Sequence, residues 1–208
     1  MNEYRTVNGY GRDQLEEKRS VFIGSADFVT TEEEAVAFIS RIREEFPDAR
    51  HNVYAYLLRE GAKTRYSDDK EPQGTAGMPV LEVLRKNECL DTVVVVTRYF
   101  GGILLGAGGL ARAYTEAAAI ALEAAGRVLR RPCLSYEFRC SYNEFQRCSR
   151  LLEQNGALLG EPIFGADVSV SFTVPSSEAE RVVFQLGDLT NGRISPTLLG
   201  TAWQKVPI

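Results

Sequence analysis

The order of apolar and polar positions from Ser20 onward predicts alternating strands and helices. The segment SVFIGSADF, residues 20–28, is rich in β-forming side chains and predicts a strand. Thr31 and Glu34 form a capping-box pattern, and the apolar positions after them have the spacing of a helix that buries one face and ends before Pro47. The positions on that face are Ala35, Phe38, Ile39, Ile42 and Phe46.

A second strand, a loop and a second helix are predicted next. VYAYLLR, from Val53, has the composition of a strand, and the polar, turn-rich stretch from Arg59 to Gln73 predicts a loop. Thr75 or Gly77 is expected to cap a helix that has Pro79 in its first turn.

The most apolar part of the chain predicts a central strand followed by a long helix. The unbroken β-branched run TVVVVTRYF after Asp91 is typical of a strand covered on both faces. A glycine-rich segment and an alanine-rich helix to about Ala125 follow it. Residues 1–131 therefore predict one β/α layer domain, and Arg130-Arg131-Pro132 predicts a linker because proline ends the helix and starts an extended segment.

Residues 132–208 predict a second, smaller domain. The strand DVSVSFTV alternates Val168, Val170, Phe172 and Val174 on one face. The full order is β-α-β-β-α-β, which is that of a ferredoxin-like domain, so the fold class is α/β (α+β) with two domains. The elements are LSYEFRC, the helix Asn143–Asn155 closed by Gly156, ALLGEPIF, DVSVSFTV, a helix to about Leu186 capped by Ser176 or Ser177, and the segment Ile194–Trp203.

Charge and composition narrow the classes of function. Residues 1–132 carry 18 Lys/Arg against 20 Asp/Glu, and residues 133–208 carry 6 against 8, so nucleic-acid binding would need a local basic patch. The four cysteines form no Cys-x-x-Cys pair, which predicts buried, reduced thiols and no metal or cofactor. A polar N-terminal sequence and the lack of an apolar run near ~20 residues predict a soluble cytoplasmic protein without a membrane partner.

The glycine-rich junction, which we define as Thr97–Arg112, is the first candidate site. Glycine permits positive φ and leaves amide N–H groups uncovered, and at a helix N-terminus such groups attract anions. Close helix-sheet packing is the structural alternative. Dinucleotide binding is disfavoured because the chain after the helix does not continue a parallel βαβ series, and Walker-type binding is disfavoured because the Walker lysine is absent. The predicted anion- or partner-binding residues are Arg98, Tyr99, Gly101, Gly102, Gly106, Gly108, Gly109 and Arg112.

An acidic loop is the second candidate. Carboxylates at this spacing could bind a hard cation or act as an acid/base pair, although beside several lysines and arginines such a loop is more often only solvated. Its residues are Asp68, Asp69 and Glu71, with Gly74 and Thr75 as turn and capping residues. His51, the one histidine, and Lys18 are possible further site residues, and no catalytic residue is predicted.

Four strings in this order resemble the IMPACT (YigZ-type) family: EKRSVFIGSA, RHNVYAY, DDKEPQGTAGMPVL and VVVVTRYFGGILLGAGGLARAY. The resemblance covers nearly all of residues 16–125, and the second half is similar to the small C-terminal domain of bacterial members. It implies a first domain with the fold of the second domain of ribosomal protein S5 and a second domain like domain V of elongation factor G. Lys70 departs from the family pattern, which commonly has glycine there.

The resemblance also implies a link to translation, because eukaryotic members are translational regulators. We therefore expect a non-catalytic regulatory protein whose glycine-rich junction binds RNA, the ribosome or a regulatory protein. Two alternatives stay open: an enzyme acting on a phosphorylated small molecule or nucleotide in the same cleft, and a module that binds proteins only.

Overall fold

The computed structural model describes residues 2–207, and its backbone divides into two units, Tyr4–Leu129 and Arg130–Val206. The elements of the first unit are β1 (Tyr4–Val7), β2 (Gly11–Glu17), β3 (Ser20–Phe28), α1 (Glu32–Glu45), β4 (His51–Leu57), β5 (Thr64–Ser67), α2 (Gly77–Lys86), β6 (Thr92–Tyr99) and α3 (Gly106–Ala125). Five of these strands form an antiparallel sheet of order β2-β3-β6-β4-β5.

Strand β6 lies at the centre of this sheet and has helices on both of its faces, as its β-branched run predicts. Val94 and Val96 pack with α2 and α3, whereas Val93 and Val95 pack with α1. Arg98 has the same parity as Val94 and Val96, so the alternation of the strand directs this side chain toward the α3 face. Strand β6 therefore places the side chain of Arg98 near the start of α3.

Several local predictions for the first unit are confirmed and others are wrong. The capping box of Thr31 and Glu34 is present. The stretch from Arg59 to Gln73 is not wholly a loop, because it contains β5, which pairs with β4. Neither Thr75 nor Gly77 caps α2, whose N-cap position is Ala76 and makes no side-chain cap bond.

The second unit has the ferredoxin-like order that the pattern predicts. Its elements are β7 (Arg127–Cys140), α4 (Tyr142–Gln154), β8 (Leu158–Leu159), β9 (Ile163–Phe164), β10 (Val168–Pro175), α5 (Ala179–Leu189) and β11 (Thr197–Pro207). The sheet runs β11-β7-β10-β8, with β9 also paired to β10, and the core includes Phe172 and Leu152.

Three predictions for this part of the chain are corrected. Arg130-Arg131-Pro132 is not a linker but part of the continuous strand β7. ALLGEPIF is two short strands rather than one. Helix α5 begins at Ala179 after Glu178, and neither Ser176 nor Ser177 occupies its N-cap position.

All four cysteines are free and buried. Cys89 lies in the core of the first unit, and Cys140 and Cys148 lie in that of the second. Within residues 2–207, none of the helices combines the length and the apolar character needed to span a bilayer.

Candidate functional site

The glycine-rich junction connects the end of β6 to the first turn of α3. Gly102 and Gly106 have φ of 83° and 71°, values that L side chains rarely adopt. Leu105 occupies the N-cap position of α3 and makes no side-chain cap bond. Because Gly106, Ala107 and Gly108 are exposed, the first-turn N–H groups of α3 open toward solvent without a side-chain cap.

Gly101 holds the β2–β3 turn against this junction. A Cβ at Gly101 would overlap the backbone of Arg19. The Gly101 N–H donates to Ser20 Oγ at 3.1 Å. Lys18 and Arg19 form the turn itself, with φ of 48° and 65°, and both side chains are exposed. The close approach therefore places two cations beside the junction.

Arg98, predicted as an anion- or partner-binding residue, is buried rather than exposed on the surface. Its side chain is 6% exposed, and its Nη1 donates to Glu71 Oε1 at 2.5 Å. The guanidinium carbon lies 5.4 Å and 5.5 Å from the ring centroids of Phe22 and Phe100. Its Nε, however, has no hydrogen-bond partner among the described residues.

Glu71 is the acceptor at the centre of this buried network. Its Oε1 also accepts from the Tyr114 hydroxyl at 2.9 Å. Burial, reinforced by the charge of Glu71, raises the pKa of Tyr114 well above its ordinary value of 10.0, so the hydroxyl keeps its proton and acts as a donor. Glu71 thus neutralises Arg98 and fixes α3 to the acidic loop.

The ring of His51 is oriented by the backbone of the same loop. Its Nδ1 lies 2.8 Å from the Asp69 carbonyl oxygen, and because a carbonyl only accepts, Nδ1 carries the hydrogen. Nε2 lies 3.8 Å from Glu71 Oε1. The imidazole edge that carries Nε2 therefore faces the carboxylate of Glu71.

The remaining carboxylates of the acidic loop have structural partners, so the loop is not merely solvated. Asp68 accepts from the N–H groups of Gly74, Ala76 and Gly77 at 2.9, 3.1 and 2.8 Å, which caps α2. Asp69 accepts from the Asn52 N–H at 2.6 Å and pairs with Arg43 at 3.3 Å. Neither carboxylate is left with the free coordination expected of a cation ligand.

The turn geometry of the acidic loop explains why glycine suits the position of Lys70. Asp69 and Lys70 both have positive φ, 42° and 71°. Glycine adopts this conformation without a steric penalty, which agrees with the glycine that the family commonly has in place of Lys70. Gly74 also has a positive φ of 76°, and the Thr75 hydroxyl donates to the Pro72 carbonyl at 2.6 Å, so both are turn residues.

These elements border an open cavity of about 330 Å³ at the start of α3, which we call the α3 cavity. It brings together several of the residues predicted from the sequence, namely His51, Glu71, Arg98 and Gly106, whereas Tyr99 and Arg112 do not line it. No group of three or more His, Cys, Asp or Glu side chains within the described range is arranged to hold a metal. The other lining residues are Arg50, Pro72, Phe100, Leu104, Leu105, Ala107 and Leu110.

Arg50 and Tyr114 also belong to this site, although the residue pattern did not predict them. Arg50 precedes β4, and its exposed side chain borders the α3 cavity. Tyr114 is fully buried in the otherwise alanine-rich face of α3. A buried tyrosine hydroxyl needs a hydrogen-bond partner. A single tyrosine among buried alanines therefore indicates that a polar side chain is buried next to it.

Comparison with known proteins assigns both halves of the chain. The Impact N-terminal domain matches residues 18–122, and the Domain of unknown function (DUF1949) matches residues 138–193. IMPACT family member YvyE of Bacillus subtilis is 37% identical, over 93% of this chain and 89% of that protein. IMPACT family member YigZ of Escherichia coli is 32% identical, over 85% of this chain and 88% of that protein.

A solved structure supports the same assignment. It is described as the crystal structure of an hypothetical protein, is 29% identical to this chain, and superposes with a TM-score of 0.61 over 100% of this chain and 98% of its own. Because the domain matches and the curated relatives agree over most of its length, this chain belongs to the IMPACT family.

Proposed function

We propose that this chain is a non-catalytic, translation-linked protein that binds RNA through the glycine-rich junction. The observation that carries the proposal is a set of exposed cations without an ion-pair partner among the described residues, on a chain whose net charge is −4. We call this set the basic rim. Its members are Lys18, Arg19, Arg50, Lys70 and Arg112.

The members of the basic rim are placed by the contacts around the junction. Lys18 and Arg19 lie on the turn that packs against Gly101, and Arg50 lines the α3 cavity. Arg112 Nη1 lies 3.7 Å from the position of a Cβ on Gly108. Lys70 adjoins Glu71 in the acidic loop.

Unpaired cations around an uncapped helix N-terminus suit a phosphate backbone. Lysine and arginine contacts supply most of the affinity for nucleic acid, and helix N-terminal amides add directional donors. Exposed Phe100 and Leu104 at the same place offer apolar surface for a base. The link to translation rests on the family resemblance.

The test is binding of a 5′-hydroxyl single-stranded RNA at several salt concentrations. We expect affinity to fall steeply as salt rises, and Arg19→Glu and Arg112→Glu each to weaken binding roughly tenfold with a shallower salt dependence. Arg150→Glu is the matched control, because Arg150 is exposed on α4 and has no ion-pair partner within residues 2–207. Binding that ignores salt, or that responds equally to the control, would contradict the proposal.

Co-sedimentation with ribosomes tests the link to translation separately. Wild-type protein is expected to pellet with ribosomes at low salt and to be released as salt rises, whereas Arg112→Glu should remain in the supernatant. Capture of a protein partner from nuclease-treated lysate, with no affinity for RNA, would favour a purely protein-binding module instead.

A further inference from the structure

We propose that Asn8 is a site of spontaneous deamidation, at which the side chain closes on the backbone nitrogen of Gly9 to form a cyclic imide. This inference is independent of the proposed function, because it concerns the turn between β1 and β2 and involves no bound ligand. Three asparagines of the chain precede glycine. Among the described residues, the glycine N–H of one of these pairs has no hydrogen-bond partner, whereas the glycine N–H groups of the other two are bonded.

The reaction joins an asparagine side chain to the backbone nitrogen of the next residue. This nitrogen gives up its proton and attacks the side-chain carbonyl carbon Cγ, a C–N bond forms, and the amide group takes up a proton and leaves as ammonia. Water then opens the imide at either carbonyl, which yields aspartate or isoaspartate. Glycine favours the attack because no Cβ crowds its nitrogen, and a hydrogen bond made by its N–H opposes the attack because that bond must break first.

The pair Asn155-Gly156 is protected at the end of α4. The Gly156 N–H donates to the Glu153 carbonyl at 2.9 Å. The asparagine side chain is also engaged, since Nδ2 of Asn155 donates to the Leu151 carbonyl at 2.8 Å and its Oδ1 accepts from Arg181 at 2.7 Å. The side chain of Asn155 therefore reaches the Gly156 nitrogen only when this helix end opens.

The pair Asn191-Gly192 is protected by its backbone, although Asn191 is exposed. The Gly192 N–H donates to the Gly187 carbonyl at 2.7 Å. The Asn191 N–H donates to the Asp188 carbonyl at 3.1 Å, so both residues close the turn after α5. Since Asn8 and Asn191 are both exposed, solvent access does not distinguish the two pairs, whereas the hydrogen bond of the glycine N–H does.

The pair Asn8-Gly9 lies in the turn between β1 and β2 and lacks this protection. The Gly9 N–H makes no hydrogen bond with any residue in the range 2–207. Apart from its chain neighbours, no atom lies within 4 Å of the position that a Cβ on Gly9 would take, so the turn is not packed against another element at this point. The Asn8 N–H donates to the Gly126 carbonyl at 2.6 Å, which holds the backbone before the reacting atoms and leaves the Gly9 nitrogen available.

The experiment follows deamidation of the folded full-length protein in mildly alkaline buffer below its melting temperature. Peptide mass spectrometry measures the fraction deamidated at each asparagine, and a protein isoaspartyl methyltransferase with labelled S-adenosylmethionine counts the isoaspartate formed. We expect Asn8 to deamidate at least about tenfold faster than Asn155 or Asn191, because those two pairs must first break a backbone hydrogen bond and open the turn around it. Equal rates at the three sites, or a faster rate at Asn191, would overturn the inference.

Incubation in urea shows whether the fold causes the difference. The unfolded chain presents the same dipeptide three times without its native hydrogen bonds, so the three rates should converge. A ranking that persists unchanged in urea would assign the difference to neighbouring residues rather than to hydrogen bonding, and would overturn the inference. Reaction of Asn8 only in urea would likewise overturn it.

The variant Gly9→Ala tests the assignment to this turn. The φ of Gly9 lies outside the left-handed region and a Cβ there meets no atom, so the variant should keep the melting temperature of the wild type. The added methyl group crowds the attacking nitrogen, so deamidation at Asn8 should slow severalfold. The rates at Asn155 and Asn191 in the same molecules are the control and should stay unchanged. Undiminished deamidation of Asn8 in this variant would exclude the imide route and overturn the inference.

Discussion

At the scale of single residues, the acidic loop shows what sequence spacing can and cannot predict. The turn character of Gly74 and Thr75 follows from their residue types, and both adopt it. The cap of α2 does not follow, because capping patterns join residues within one helical turn. Asp68 instead reaches the N–H of Gly77, nine residues along the chain, through a folded loop. Such a contact depends on how the loop folds, so residue spacing alone does not predict it.

Replacing Asp68 by alanine should destabilise the first unit. The carboxylate accepts three backbone N–H groups, so we expect the free energy of unfolding to fall by about 1–3 kcal/mol. Urea unfolding followed by circular dichroism measures the change. Asp48→Ala is the control, because Asp48 is exposed in the turn after α1, and its effect should stay within about 0.5 kcal/mol. Equal losses in the two variants would show that Asp68 is not a cap.

At the scale of elements, the glycines of the junction divide into two physical roles that the sequence does not separate. Gly102 and Gly106 provide positive φ, which a glycine-rich stretch between a strand and a helix predicts. Gly101 provides a close approach between two backbones, and its partner Arg19 is far away in the chain. Gly108 provides neither, since it is a helical position at which a Cβ would meet only Arg112 Nη1, at an ordinary contact distance of 3.7 Å.

Two alanine substitutions should therefore have opposite effects on stability. Gly101→Ala forces the β2–β3 turn away from the junction and should lower the free energy of unfolding by about 1–3 kcal/mol. Gly108→Ala should raise it by about 0.5–1 kcal/mol, because alanine is the better helix former and only Arg112 Nη1 lies near its Cβ. Chemical denaturation of both variants measures the difference. A stabilising Gly101→Ala, or a destabilising Gly108→Ala, would contradict these roles.

At the scale of the whole chain, hydrophobic periodicity predicts the fold class and both architectures. It succeeds where one face is buried, as in α1 and in β10, whose residues alternate between buried and half-buried. It fails for β2, because this strand is mostly exposed and rich in charge, so its pairing with β3 leaves little apolar signal. It also fails at Pro132, which lies within β7 and contributes its carbonyl to Ser176. Proline interrupts a strand only where the sheet needs the backbone N–H group that proline lacks.

The distribution of the buried cysteines makes the two units separately observable by covalent labelling. Burial raises the pKa of Cys89 and of Cys148 to about 11, and it raises the pKa of Cys133 and Cys140 as well. Since only an accessible thiolate alkylates readily, the folded chain should be nearly inert to iodoacetamide at neutral pH. Opening of Tyr4–Leu129 would expose one thiol, and opening of Arg130–Val206 would expose three.

Pulsed alkylation followed by intact-mass measurement would show which of the two units unfolds first. At increasing urea, a first gain of three adducts would mean that the smaller unit opens first, and a first gain of one would mean the reverse. Cys89→Ser serves as the control that removes the single-adduct species. Rapid modification of every thiol without denaturant would contradict their burial. The number of adducts on each molecule, one or three, thus reports which of the two units has unfolded in that molecule.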